Sequence, residues 1–511
     1  MLVLTSSQTK KAEKNAVDLG MNWLRLMENA GSAAAKEIRK NYDLKSKKIV
    51  IVCGKGNNGG DGFVIARKLN ENGITARVIT VGEPATDSAK EMLSKLIDLG
   101  IRPLDFESYE VICSQYIDEA DIIIDSVFGT GFSGVPKGIY GVVIATMANS
   151  KAIKIAIDIP SGINSDSGVA EGPFVKVDMT VTFAAFKPCH LSYPSNELCG
   201  KVVVSSIGIP EEAYRGIRPY MLTVSDEMAA SMLPKRGINC HKGDCGTAGL
   251  YVGSKGYSGA AVLSIKGAVL SGAGIVNAII PESIYGIVGS SVPEAVCTVL
   301  NGDSLSGIDF NDTNIIINTL NSCIAGLVGC GLSQSKYSAY TVKEIMKNCK
   351  IPLVIDADGI NILSDNIELI SNYPADVILT PHPKEASRML KCSVDEVQNN
   401  RVASAKKLSE ITGAVVILKG AGTIIATPQS NCYIVTDGNP GMATAGTGDV
   451  LAGMTAAFLA QGLTATNSAL LAAKLHALSG DISLKTSSLL SLTPSEMLIN
   501  LPRVISNLYT K

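Results

Sequence analysis

No run of about 18 consecutive apolar residues occurs in the chain, which excludes a membrane-spanning helix at the level of sequence. The first residues, MLVLTSSQTKKAEKN, lack a basic stretch followed by a long apolar one, so no export signal is read and a cytoplasmic protein is expected. Neither sign of charge is in excess. The formal net charge is only -2, with 18% charged residues, so nothing in the balance recruits nucleic acid or an acidic membrane surface. The expected partners are therefore small molecules, with a homo-oligomer as the expected assembly. Four histidines and 12 cysteines without close CxxC pairs provide no zinc ligand pattern, and the cysteines are expected reduced and mostly buried. The GxxxxGK[ST] loop is absent, which sets aside P-loop chemistry. Neither half has a clear GxGxxG turn followed by an acidic residue near the next strand end, which sets aside an NAD-dependent dehydrogenase.

What is present is length and α/β rhythm. A chain of 511 residues predicts two cores, each burying most of its own surface. A helical pattern from Thr9 to about Tyr42 precedes the buried-strand run KKIVIVC (Lys47 to Cys53) and the helix-like FVIARKLNENG. Apolar runs at Ala76 to Gly82, Ala120 to Gly129, Ile153 to Gly162 and Met179 to Phe186 are separated by helix-length segments. That alternation predicts a parallel, doubly wound sheet. Between Pro210 and Pro234, charge, Pro and Gly interrupt the rhythm, and the domain boundary is placed there. The second half repeats the alternation, with strands expected at AGLYVGS, TNIIINTL (Thr313 to Leu320), PLVIDAD, DVILTPHP and AVVILKGAGT. Both halves are thus α/β.

In the first half, GKGNNGGDG (Gly54 to Gly62) joins a strand to a helix, where backbone amides and the helix N-terminus can face an anion. A tight turn with no ligand is the alternative. The loops DSVFGTGFSG, DIPSGINSDSG and FKPCH leave strands at the same edge and should converge on one crevice. Asn58, Asp125 and Ser161 offer hard oxygen donors suited to an alkali or alkaline-earth ion, although each alone is also an ordinary helix cap or Asx turn. Together LMENAG (Leu26 to Gly31), CGKGNNGGDG, DSVFGTG and DIPSG resemble the YjeF N-terminal domain, the NAD(P)H-hydrate epimerase family, over roughly residues 1 to 215. The resemblance implies a Rossmann-like sandwich that interconverts the R and S hydrates of reduced nicotinamide dinucleotides. By motif position Asn57, Asn58, Gly59, Gly60, Asp61, Gly129, Thr130, Gly131, Phe132, Ser133, Gly134, Val135, Tyr140 and Asp158 would meet the hydrate. Asn58, Asp125 and Ser161 would hold potassium. Asp158, with Lys187 on the neighbouring loop, is a candidate pair for the proton transfers, the alternatives being a binding carboxylate and a solvated lysine.

In the second half, NPGMATAGTGDVLAG (Asn439 to Gly453) runs into an apolar helix, so Gly446 to Gly448 present amides to a phosphoryl group. Asp449 in the first turn is either a dipole partner or a base for an attacking hydroxyl. KGAGT (Lys419 to Thr423) follows a strand and can wrap nucleotide phosphates with amides and a lysine. These loops, with KGDCGTAGLYVGSKGYSGAA, DADGIN and TPHPKEASRML, resemble the ribokinase-like NAD(P)H-hydrate dehydratase family from about Met221 to Lys511. The resemblance implies ADP- or ATP-dependent phosphorylation of the hydrate hydroxyl and loss of phosphate, with magnesium on the nucleotide. Ala260, Gly331, His382 and Asp449 would meet the hydrate, and Asp449 would be the catalytic base. Lys419, Gly420, Ala421, Gly422, Thr423 and Gly448 would meet the nucleotide. A His between prolines is also commonly a satisfied hydrogen-bonding group. Two positions depart from the family pattern: GCGLS (Gly329 to Ser333) replaces GPGLG, and HPKE (His382 to Glu385) replaces HPGE.

The expectation is two doubly wound domains, 1–215 and 221–511, forming a bifunctional repair enzyme. Two alternatives stay open from sequence: a small-molecule alcohol kinase, and an N-terminal module that only binds.

Overall fold

The structure is a computed structural model that describes residues 1–302 and 310–509. The chain divides into two compact units, Met1–Leu222 and Thr223–Lys511. No helix among the described residues is long and apolar enough to cross a membrane.

In the first unit the strand Ile49–Gly54, IVIVCG, is buried at every position. Such an unalternating run suits a strand covered on both faces. Seven strands lie in the order Leu104–Asp105, Ala76–Val81, Ile49–Gly54, Ile122–Ser126, Ile153–Ile157, Met179–Phe183 and Lys201–Ser205. All are parallel. Alternate strand residues face opposite layers. Ile49, Ile51, Ile122 and Ile124 pack against Leu26, Met27, Phe63 and Ile65 on one side, whereas Val50, Val52 and Ile123 meet Phe106, Ile117, Val143 and Met147 on the other. The strand order reverses beside Ile49–Gly54, which has Ala76–Val81 and Ile122–Ser126 as its two neighbours. A crevice outside the C-terminal ends of the strands is expected at such a point. The expected N-terminal helical stretch is two helices, Ser6–Asp18 and Trp23–Asn41, separated at Gly20, whose φ of 98° a helix cannot contain.

In the second unit seven parallel strands run in the order Val415–Leu418, Val377–Leu379, Leu353–Ile355, Ala325–Val328, Thr247–Tyr251, Ile275–Pro281 and Val296–Leu300. Thr423–Ala426 and Cys432–Val435 extend the Val415 side antiparallel. Both units are doubly wound. One expectation is corrected: TNIIINTL is not a strand but part of the helix Phe310–Asn321. Asp312, Thr313, Ile316 and Leu320 are its buried positions, a spacing of three and four that belongs to a helix face. The run of three isoleucines imitated a strand because adjacent apolar residues do not report period.

The apolar helix Thr447–Ala460 is buried continuously from Val450 to Ala460 and crosses the helix Ser258–Leu270 at close range. A Cβ on Gly453 would stand 1.9 Å from the Ser264 carbonyl oxygen, and one on Gly267 2.7 Å from that of Val450. Glycine at these two positions sets where the N-terminus of the Thr447 helix comes to rest.

Candidate active sites

In the first unit a crevice of about 830 Å³ opens at the switch point, lined by Asn57, Asn58, Asp61, Gly129 to Ser133, Asp158 and Lys187. Gly134, Val135 and Tyr140 are not among its lining residues. Tyr140 instead donates to Val81 O at 2.9 Å and stacks on Phe128, centroids 5.2 Å apart. The helix Asn57–Asn70 makes its first turn bond from Gly60 N to Gly56 O at 3.3 Å, so the three amides before Gly60 are left for a ligand. Its glycines are also required by packing. A Cβ on Gly59 would lie 1.8 Å from Gly54 O, and one on Gly60 2.5 Å from Met27 Sδ.

Asp158, at φ 64°, holds a backbone conformation unusual for a residue with a side chain. Its Oδ1 accepts from Lys187 Nζ at 2.6 Å and Thr182 Oγ1 at 2.9 Å, and its Oδ2 accepts from the Thr130 amide at 3.2 Å. Burial pushes this carboxyl up, but the Lys187 ammonium outweighs burial and holds it below the usual carboxylate range. Lys187 is no solvated surface charge: its side chain is 1% exposed. It also donates to Thr182 Oγ1 at 2.8 Å and Phe183 O at 3.1 Å. Those contacts use all three of its hydrogens. His190 Nδ1 accepts from the Lys187 amide at 3.1 Å, so Nε2 carries the hydrogen that goes to Asp158 O at 3.0 Å. Burial, then Lys187, depress this imidazole to about 3, and it stays neutral.

Beside the pair, Asp125 accepts from Ser161 Oγ at 2.6 Å and Ser161 N at 2.8 Å. Burial raises its carboxyl to about 6 against those bonds. Asn58 Nδ2 donates to Phe128 O at 2.8 Å, while Asn58 Oδ1 is buried without a hydrogen-bond partner. An orphaned amide oxygen beside a buried carboxylate and a hydroxyl is a donor set that fits a hard monovalent cation.

In the second unit the helix Thr447–Ala460 starts from Gly446 at φ 96°, and its first turn bond runs from Val450 N to Gly446 O at 3.2 Å. The Thr447 amide is not free as expected, since it turns back to Thr444 O at 3.4 Å; the amides of Gly448 and Asp449 are left at the helix start. His476 Nε2 donates to Thr447 O at 2.9 Å, and burial depresses its ring to about 4. Burial, then Asp356, raise the Asp449 carboxyl to about 7, with Cys330 and Lys419 opposing. Lys419 Nζ meets Asp356 Oδ1 at 2.7 Å, and Thr380 Oγ1 donates to the same oxygen at 2.6 Å. This lysine pairs with a carboxylate through one of its three hydrogens. It still sits at the helix start, 3.3 Å from where a Gly448 Cβ would be. Lys419 to Thr423 turn back into the antiparallel strand, and Arg401 clamps the turn by donating to Leu418 O and Lys419 O, each at 3.2 Å.

Gly331 at φ 66° lies against Ala260, whose Cβ is 2.9 Å from a built Gly331 Cβ. Cys330, Asp356 and Asp449 bring one ligand atom each within 4.8 Å of one another. The two carboxylates suit magnesium, which takes one or two of them plus phosphate oxygens, while the thiol does not. His382 caps the helix Pro383–Leu390: its Nδ1 accepts from the Lys384 and Glu385 amides at 3.0 and 3.2 Å. The capping role of this histidine is realised, and a ligand can reach only its partly exposed ring.

Residues 24–189 match the YjeF-related protein N-terminus family, and residues 248–503 match the NAD(P)H-hydrate dehydratase family. Over 491 residues the chain is 34% identical to the bifunctional NAD(P)H-hydrate repair enzyme of Moorella thermoacetica, spanning 94% of this chain and 92% of that one. The chain belongs to the bifunctional NAD(P)H-hydrate repair enzyme family. The Escherichia coli repair enzyme is 30% identical over 479 residues, 93% of this chain and 88% of its own. A ribokinase-like superfamily protein from Enterococcus faecalis superposes with a TM-score of 0.51 at 26% identity, covering 57% of this chain and 98% of that one.

Two departures from the repair-enzyme pattern acquire a physical reading. Lys384 is exposed and is not among the residues at positive φ, so no glycine is needed there. Cys330 is fully buried, its Sγ 3.4 Å from Asp356 Oδ2, and burial, then the neighbouring Asp356 and Asp449, keep it a thiol that donates. Glu13, Thr182 and His190 at the first site, and Asp356, Arg401 and His476 at the second, were missed as site residues. Asp356, at a strand end in DADGIN, and His190, in the FKPCH loop, carried a sequence signal.

Proposed function

We propose that the protein repairs hydrated NAD(P)H, the first unit interconverting the R and S hydrates and the second dehydrating the S form at the expense of ADP or ATP. The observation that carries this reading is similarity to bifunctional repair enzymes along nearly the whole chain, so that both sites belong to one substrate. In the first unit the amides before Gly60 and the loop Gly129 to Ser133 bind the dinucleotide, and Asp158, held ionised by Lys187, is a fixed negative charge that orients it. Gly134, Val135 and Tyr140 complete the loop from behind. Asn58, Asp125 and Ser161 would hold potassium, which would supply positive charge to offset the buried carboxylate.

In the second unit the amides of Gly448 and Asp449 face the transferring phosphoryl group, whose charge develops where donors are already fixed. Lys419 to Thr423 bound the nucleotide, and Ala260, Gly331 and His382 bound the hydrate. Asp449 takes the C6 hydroxyl proton as its oxygen accepts the terminal phosphoryl group. Phosphate then leaves C6 as C5 gives up a proton, restoring the reduced ring; from ADP the other product is AMP. Asp356 is the carboxylate the chain would offer to magnesium on the nucleotide, which would supply charge neutralisation. A cytoplasmic place of action accords with twelve free cysteines, nine of them buried.

The test is an assay of racemic hydrate with ADP or ATP on the full chain. Complete return of reduced-nicotinamide absorbance is expected. Consumption of hydrate and nucleotide without that return would instead reveal a kinase releasing a stable phosphate ester.

A further inference from the structure

We propose that Glu13, on the helix Ser6–Asp18, is the acid–base group that carries the proton between the hydroxyl oxygen and the ring nitrogen while the epimerising carbon opens and recloses. The inference rests on the epimerase reading of the first unit and adds to it a residue outside the matched segment 24–189.

Glu13 lines the same crevice as Asp158, Lys187 and the Gly129 to Ser133 loop. The titratable groups around Asp158 are committed. Lys187 spends its three hydrogens on Asp158, Thr182 and Phe183. Asp158 accepts from three donors, and His190 uses both ring nitrogens. Asp61 is buried, and burial and then Asp158 raise its carboxyl well above the usual carboxylate range. Among the described residues no hydrogen bond engages the Glu13 carboxylate. Facing it are Lys10 and Lys14 of its own helix, Lys55, Asp61, Asp158, Lys187 and, from the short helix Glu211–Tyr214, Tyr214. Burial raises Glu13 to about 7, Lys187 opposing and Asp158 reinforcing. A carboxyl with a value near the working pH both accepts and returns a proton efficiently.

The hydrate is a hemiaminal at C6. Glu13 takes the hydroxyl proton while the C6–N1 bond breaks; the O–H electron pair becomes the C6 carbonyl, the C6–N1 pair stays on N1, and N1 receives the proton from Glu13. After rotation of the aldehyde, N1 adds to its other face, Glu13 removes the N1 proton, and the oxygen regains a proton from Glu13. No atom or electron is gained or lost.

The test uses the full chain, R-enriched hydrate and chiral chromatography across pH. Glu13→Gln is expected to slow interconversion by about 100-fold or more and to abolish the limb of kcat/KM near pH 7, with Glu13→Asp recovering part of both. The fluorescence of Trp23, the single tryptophan and a lining residue of this crevice, reports on the same preparations that the first unit is folded. Interconversion by Glu13→Gln at the wild-type rate with the same limb overturns the assignment of Glu13 alone. A wild-type chain no faster than buffer takes down the epimerase reading with it.

Discussion

Single residues set the electrostatics of each site. Asp449 is raised from an ordinary 3.8 to about 7, so folding favours its protonated form. That contribution is full below about pH 4 and is lost as pH rises through 7. At pH 8 the ionised carboxylate therefore costs stability, and Asp449→Asn is expected to gain roughly 1–4 kcal/mol there, less at pH 5, while losing dehydration. Urea unfolding at the two pH values checks this, and equal shifts would contradict it. Asp158 has the opposite sign. Its depressed carboxyl contributes stability above about pH 4 that is lost as pH falls further. Lys187→Met leaves that carboxylate buried and unpaired, at a cost of about 3–5 kcal/mol. The deficit should narrow in acid as the carboxyl protonates, which thermal denaturation from pH 7 to pH 4 would follow.

At the scale of elements, turns and helix starts carry the chemistry. Arg401 reaches from the helix Arg401–Thr412 to three carbonyls around the turn after Val415–Leu418, including Gly422 O at 3.5 Å. A built Gly420 Cβ would lie 2.9 Å from its guanidinium nitrogens. Arg401→Met should loosen this turn and raise the KM for ADP or ATP about tenfold, on the order of 1.4 kcal/mol, without altering epimerisation. Unchanged nucleotide KM would show that the turn is not part of the nucleotide site. Most strands were legible because buried parallel strands read as apolar runs ended by Gly, Pro or Asp, as IVIVCG and IKIAIDIP do. TNIIINTL misled because its buried residues were hidden among apolar neighbours, and Arg401 was illegible because its partners are carbonyls distant in sequence.

For the whole molecule, two chemistries on one chain predict separable defects. Full-length Asp449→Asn should still relax R-enriched hydrate to the R and S mixture while returning no reduced nicotinamide, measured by chromatography and absorbance on one sample. Loss of both activities would contradict independent sites.

By itself the sequence determined the two α/β halves and the loops at the strand ends, and it put Asp125, Asp158 and Asp449 forward as candidates. Local periodicity and turn chemistry are written in neighbouring residues, so these survive without coordinates. Only the tertiary structure decided which groups are spent and which are spare. Lys187 is saturated by Asp158, Thr182 and Phe183, Lys419 pairs with Asp356 through one of its hydrogens, and Glu13 is brought from the first helix to the crevice. Burial and charge pairing depend on groups far apart in the chain, and proton affinity follows from them.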